Sequence, residues 1–98
     1  MKPDVTLQKL EDAATQLGVK VSYEVFGAAV GLGGLCKVKG EFRVIIDKRA
    51  STEERVTTLA GSLAGVLRRL GDATPPLDPK ARNLIDFHAP GRSGRAAA

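Results

Sequence analysis

Few side chains in this chain are of the types that do covalent or metal chemistry. Among 98 residues there is one cysteine, Cys36, and one histidine, His88. A lone thiol permits no internal disulfide and a lone imidazole leaves little material for a zinc site, so no cofactor or metal is expected. Cys36 follows Gly33-Gly34-Leu35, and a thiol beside the backbone N–H groups of a glycine turn has the setting of a nucleophile or redox sensor. It also alternates with Val38, which gives it the plainer role of a small buried hydrophobe. The stretch Phe26-Gly27-Ala28-Ala29-Val30-Gly31-Leu32-Gly33-Gly34 suggests a phosphate cradle. A dinucleotide fingerprint there would run Gly31, Gly33 and then Cys36 in place of its third glycine, and no Gly-Lys-Ser/Thr follows. Glu53 and Glu54 stand at the start of a helical pattern, where carboxylates complement the helix dipole rather than form an acid and base pair. Asp47, followed by Lys48 and Arg49, reads as a turn signal. No catalytic residue is expected, and the protein is expected not to be an enzyme.

The elements that must position these residues follow from periodicity. Leu7, Leu10, Ala14 and Leu17 recur at helical spacing and predict a helix from Asp4 to Leu17. Asp4 or Thr6 is its expected N-cap, and Gly18 in the left-handed conformation closes its last turn. The period then drops to two. Val19, Val21, Tyr23 and Val25 alternate with Lys20, Ser22 and Glu24, which predicts a half-buried strand.

The glycine-rich stretch leads into a hairpin of two strands, Leu35 to Val38 and Phe42 to Asp47. Directly paired residues share a face of the sheet. A two-residue turn at Lys39-Gly40 pairs Cys36 with Arg43 and Val38 with Glu41, whereas a three-residue loop pairs Val38 with Phe42 and Cys36 with Val44. The second choice matches apolar to apolar and is the expected register. It places Cys36, Val38, Phe42, Val44 and Ile46 on one face, and Lys37, Arg43 and Asp47 on the other beside a Leu35/Ile45 pair. Two apolar residues on a charged face suggest cover by another element or a partner.

A second helix has the clearest boundaries. Ser51-Thr52-Glu53-Glu54 is a capping-box pattern, and Val56, Leu59, Ala60, Leu63, Val66, Leu67 and Leu70 form a broad apolar stripe. Arg68 and Arg69 suit the negative end of the dipole, and Gly71 ends the helix. Asp78-Pro79 then opens a short helix with Ala81, Leu84, Ile85 and His88 on one side, stopped by Ala89-Pro90-Gly91.

Gly61 and Gly65 inside the second helix each cost roughly 0.5 to 1 kcal/mol relative to alanine, so something must offset them. The order helix, strand, glycine-rich approach, hairpin and a helix beginning Arg55-Val56-Thr57-Thr58-Leu59-Ala60 resembles the ImmA/IrrE-type zinc peptidase family. In that family the helix after the hairpin carries Thr-Leu-Ala-His-Glu-Leu-x-His. This chain reads Thr58-Leu59-Ala60-Gly61-Ser62-Leu63-Ala64-Gly65, with both histidine positions become Gly61 and Gly65 and the glutamate position become Ser62. Two histidines four apart hold zinc and the glutamate activates its water, which glycine and serine do not. The resemblance, which spans residues 5 to 67, therefore implies a minimal zincin-like domain that is catalytically empty, a pseudo-peptidase. Gly61 and Gly65 also have a simpler reading, in which they let the helix backbone come close to the sheet or another helix.

Composition bounds the rest. The 15 Lys+Arg against 11 Asp+Glu give a net charge of +4, and 43% of the residues are hydrophobic. Residues 1–78 are nearly neutral, and the excess lies in Lys80, Arg82, Arg92 and Arg95 against Asp86. No apolar run reaches the roughly 20 residues of a bilayer-spanning helix, and the start Met-Lys-Pro-Asp lacks the apolar core of a signal peptide. A cytoplasmic protein with no membrane partner is expected. The predicted fold is α+β: a single domain over residues 1–89 in the order α-β-β-β-α-α. A small three-stranded antiparallel sheet has its apolar face covered by helices one and two, helix three lies at the edge, and 90–98 forms a disordered basic tail. Strand one or three then has an exposed edge.

The expected function is a non-catalytic protein-binding or regulatory module, with a homodimer as one form. Its candidate interaction surface is Leu35, Lys37, Lys39, Arg43, Ile45, Lys48 and Arg49. The alternative partner is nucleic acid, reached through the hairpin cations and Arg92 and Arg95.

Overall fold

A computed structural model describes residues 2–25 and 33–89; the expected tail 90–98 and most of the glycine-rich stretch lie outside the described residues. The first helix, α1, spans Pro3–Gln16. It starts one residue earlier than the spacing predicts, because Pro3 at its first position carries the fixed φ a helix needs and lacks the N–H that would go unbonded. Lys2 is the N-cap without a side-chain bond. Asp4, an expected cap, instead accepts from the backbone N–H of Val5 inside the first turn. Gly18 closes the helix at φ 75°, and the N–H of Val19 returns to Ala14 O at 2.8 Å.

The three strands are β1 (Lys20–Glu24), β2 (Gly33–Val38) and β3 (Glu41–Asp47). The element order is α-β-β-β-α-α and the class α+β, but the sheet is mixed rather than purely antiparallel. Its order is β1-β3-β2, with β1 parallel to β3 and β2 antiparallel to it. β1 and β2 are thus the edges. β3 takes the centre and carries the apolar run Val44-Ile45-Ile46, of which Val44 and Ile46 are buried under the helices.

The hairpin register differs from the expected one. Val38 pairs with Glu41, Lys37 with Phe42, Cys36 with Arg43 and Leu35 with Val44, around a two-residue turn. Lys39 (φ 52°) and Gly40 (φ 80°) both adopt left-handed backbone, the combination that matches the natural twist of a tight hairpin. The charged pairs that argued against this turn are accommodated locally. The Lys37 ammonium lies 5.1 Å from the centroid of the Phe42 ring, and Arg43 reaches the Glu41 carboxylate at 3.4 Å. A one-residue slip flips a whole strand, so Leu35 turns toward the helices while Cys36 and Val38 turn to the open face. The expected Leu35/Ile45 pair does not form; Gly34 stands opposite Ile45.

The second helix, α2, spans Thr52–Leu70 and the third, α3, Pro79–His88, with a short 3-10 turn at Gly71–Ala73 between them. The capping box is complete: Glu54 N–H donates to Ser51 Oγ at 3.1 Å and Ser51 N–H to the Glu54 carboxylate at 2.7 Å. Asp78 caps α3 by accepting from Lys80 N–H. Leu7, Leu10 and Ala14 of α1 and Leu59, Leu63 and Val66 of α2 pack with Val44 and Ile46 into one core. α3 adds Ala81 and Ile85 by packing across α1 and α2 rather than at the sheet edge. No helix among the described residues is long and apolar enough to cross a membrane.

Candidate functional site

Each edge of the sheet borders a groove. The one along β1 has a volume of about 660 Å3 and is lined by Glu11, Thr15, Lys20, Val21, Tyr23 and Glu41 among others. Its polar groups are committed to one another. The Tyr23 hydroxyl donates to the Glu11 carboxylate, Lys20 pairs with Glu41 at 3.6 Å, and the Arg55 guanidinium sits 4.8 Å from the Tyr23 ring centroid. Partial burial, the hydrogen bond to Glu11 and that carboxylate's charge push the Tyr23 phenol well above its ordinary range, with Arg55 opposing them. Arg55 also donates to Ala50 O at 3.1 Å and Lys48 O at 2.7 Å, which fastens the start of α2 to the loop before it.

The groove along β2 is larger, about 710 Å3, and runs between that strand and α2. Gly34 and Leu35 form one wall. Thr58, Gly61, Ser62 and Gly65 of α2 form the other, and Arg68, Arg69, Arg82 and Asp86 complete the lining. The spacing 58, 61, 65, 68 explains why one helix supplies this lining, since residues three and four apart share a helical face. The small residues Gly61, Ser62 and Gly65 are joined there by cations, since the Arg69 and Arg68 guanidinium groups come within 3.3 and 3.8 Å of the Cβ position of Gly65. Among the described residues β2 has no strand neighbour beyond β3, so its outer backbone groups face this space.

The positions that the family resemblance singled out, Gly61, Ser62 and Gly65, therefore lie together in one groove beside an edge strand. They do not fit zinc. The two glycines offer no donor atom, and the Ser62 hydroxyl donates to Thr58 O of its own helix at 2.8 Å. Among the described residues no group of three His, Cys, Asp or Glu side chains could hold a metal. Gly65 is buried, and a Cβ added there would lie 3.3 Å from Arg69 Nη1 and 3.4 Å from Leu35 Cδ2. Close approach of β2 to α2 thus accounts for part of the glycine's use. An alanine would still fit after a small shift of the flexible Arg69 side chain.

The surface expected from the sequence is divided. Leu35 faces α2 and lines the β2 groove; Lys37 shares its strand face over Phe42. Lys39 occupies the turn, while Arg43 and Ile45 stand on the open face of the sheet. Lys48 and Arg49 are at the other end of β3, which for seven residues is roughly 20 Å from the turn. These residues do not form one basic patch. Arg49 is bound to Asp47, donating from Nη2 at 2.8 Å and from Nε at 3.1 Å, and these bonds hold the Asp47 carboxyl below its usual range. Asp47 also accepts from Arg49 N–H, as a turn residue does.

Cys36 and His88 are not brought together. Cys36 lies half-buried on the sheet face away from the helices, whereas His88 ends α3 with its ring edge-on to Phe87 at 4.9 Å. The residues that sequence reasoning left unassembled are Arg68, Arg82 and Asp86. Arg68 read only as a dipole complement and Arg82 only as part of a basic C-terminal segment. The stripe Thr58, Gly61, Gly65, Arg68 was the available signal for the first; nothing in sequence spacing brings Arg82 of α3 beside it. No protein-family model, curated protein or solved structure matches the chain.

Proposed function

We propose that the protein is a non-catalytic protein-binding module that takes an extended segment of a partner into the groove between β2 and α2. The observation that carries this reading is the pairing of a strand edge that has no further strand neighbour among the described residues with a helix wall kept low by Gly61, Ser62 and Gly65. An extended segment can add to such an edge through backbone hydrogen bonds, while small residues opposite leave room for its side chains. Two glycines in one helix cost about 1 to 2 kcal/mol against alanine, and keeping the groove deep is a use that offsets this. A groove with these contents binds rather than reacts, because its one buried hydroxyl is bonded within its own helix. The reading also agrees with a degenerate relative of a zinc peptidase domain, one that keeps a peptide groove after losing the metal ligands.

The test is selection of a phage-displayed library of random twelve-residue segments on the full chain. Binding of the recovered peptides should fall at least tenfold in Gly65→Leu and in Thr58→Trp, each of which fills the groove. Thr58→Trp guards against misfolding of the first, and both are checked by thermal melting. Peptides that bind both folded variants as they bind the natural chain would overturn the reading.

A further inference from the structure

The arginines of the β2 groove give the partner a chemistry. Arg68 and Arg69 come from the last turn of α2 and Arg82 from the first turns of α3, so two helices separated in sequence bring three arginines to the lining of one groove. Among the described residues only Asp86 opposes them in the lining. Like charges gathered this way repel, and in a stable fold they are usually interleaved with carboxylates. Here they are not neutralised. Arg69 donates to Gly65 O at 3.3 Å, a carbonyl of its own helix, and among the described residues Arg68 and Arg82 make no ion pair or side-chain hydrogen bond. All three are exposed and can turn toward a ligand.

We infer that the groove selects an acidic segment of a partner protein, with carboxylate side chains held by Arg68, Arg69 and Arg82. Guanidinium groups bind carboxylates in a planar, two-bond geometry, and the neighbouring strand edge fixes the segment's backbone. This rests on the groove being the binding site. Nucleic acid fits less well: among the described residues the lining contains no aromatic ring for base stacking, and Asp86 would face the phosphates. A peptide offers donors that Asp86 can accept. Arg92 and Arg95 carry the same sign of charge as the groove's arginines.

The peptide library separates this inference from the reading beneath it. Selection on the natural chain should enrich Asp and Glu over the input library. Selection on the double variant Arg68→Glu/Arg82→Glu should enrich Lys and Arg instead, and acidic peptides should bind that variant about tenfold or more weakly, as expected for lost charge-assisted bonds. Both substitutions are at exposed positions, and a thermal melt confirms the fold. Recovered peptides without acidic bias, still excluded by Gly65→Leu and Thr58→Trp, would overturn the acidic preference and leave the groove in place. Peptides indifferent to the filled groove would remove both. A twenty-residue oligothymidylate that binds the natural chain more tightly than any peptide, and loses binding in the arginine variant, would replace the acidic peptide with a nucleic acid.

Discussion

The two edges of the sheet are built to different ends. Along β1, the side chains that reach the edge are spent on one another: Tyr23 on Glu11, Lys20 on Glu41, and Arg55 on the Tyr23 ring and two loop carbonyls. Along β2, the helix wall is Gly61, Ser62 and Gly65, and Arg68 and Arg82 line the groove with no ion pair or side-chain hydrogen bond among the described residues. The first arrangement stabilises the fold by fastening α1, β1 and the start of α2 together. Among the described residues the second leaves space and charge unused, at a cost in helix propensity and in repulsion. A fold of this size has roughly 5 to 15 kcal/mol of net stability, so such a cost has to be offset by a use.

Substitutions along the two edges should therefore have opposite characters. The largest loss belongs to Arg55→Ala, which removes two hydrogen bonds to carbonyls and the contact with Tyr23. It should destabilise by about 1 to 3 kcal/mol in urea unfolding. Tyr23→Phe follows, at about 1 kcal/mol for the bond to Glu11. The same tyrosine gives the β1 edge a pH signature. Its folded-state phenol is raised above the unfolded value of 10.0, so the stability it adds is complete below that pH and is lost as pH rises beyond it. Unfolding midpoints measured between pH 9 and 11 should fall more steeply for the natural chain than for Tyr23→Phe.

On the β2 edge the sign reverses. Gly65→Ala should raise the melting temperature, by an amount worth up to about 1 kcal/mol of helix propensity less the small displacement of Arg69. That gain should come with weaker peptide binding. The smallest effects on stability belong to Arg68→Ala and Arg82→Ala, which should stay within about 0.5 kcal/mol of the natural chain because both side chains are exposed and neither has a partner among the described residues. A large destabilisation by either would place it on the structural side of the comparison.

Much of this arrangement was legible in the sequence where local rules act alone. The capping box at Ser51 and Glu54, the left-handed Gly18, the cap at Asp78 and the apolar stripe of α2 each depend on a few neighbouring residues, and each forms. The face of β3 was legible for the same reason. The face of β2 was not, because it depends on the length of one turn. Matching apolar residues across the hairpin favoured three residues, whereas the backbone twist favoured two, with Lys39 in left-handed backbone. That single residue moved Leu35 into the groove and Cys36 out of the core. The parallel pairing of β1 with β3 is a long-range choice that hydrophobic alternation does not encode. The groove itself was half legible: Gly61 and Gly65 marked it, while Arg82 joins it only through the packing of α3 on α2.

The most direct test of the central claim is a titration of the 15N-labelled full chain with the tightest-binding library peptide, followed by amide chemical shifts. Shifts should be confined to Gly34, Leu35, Gly61, Ser62, Gly65, Arg68 and Arg82 and their neighbours, with Tyr23 and Glu11 unmoved. Shifts centred on the open sheet face at Cys36, Val38 and Ile45, or on the β1 edge, would contradict it.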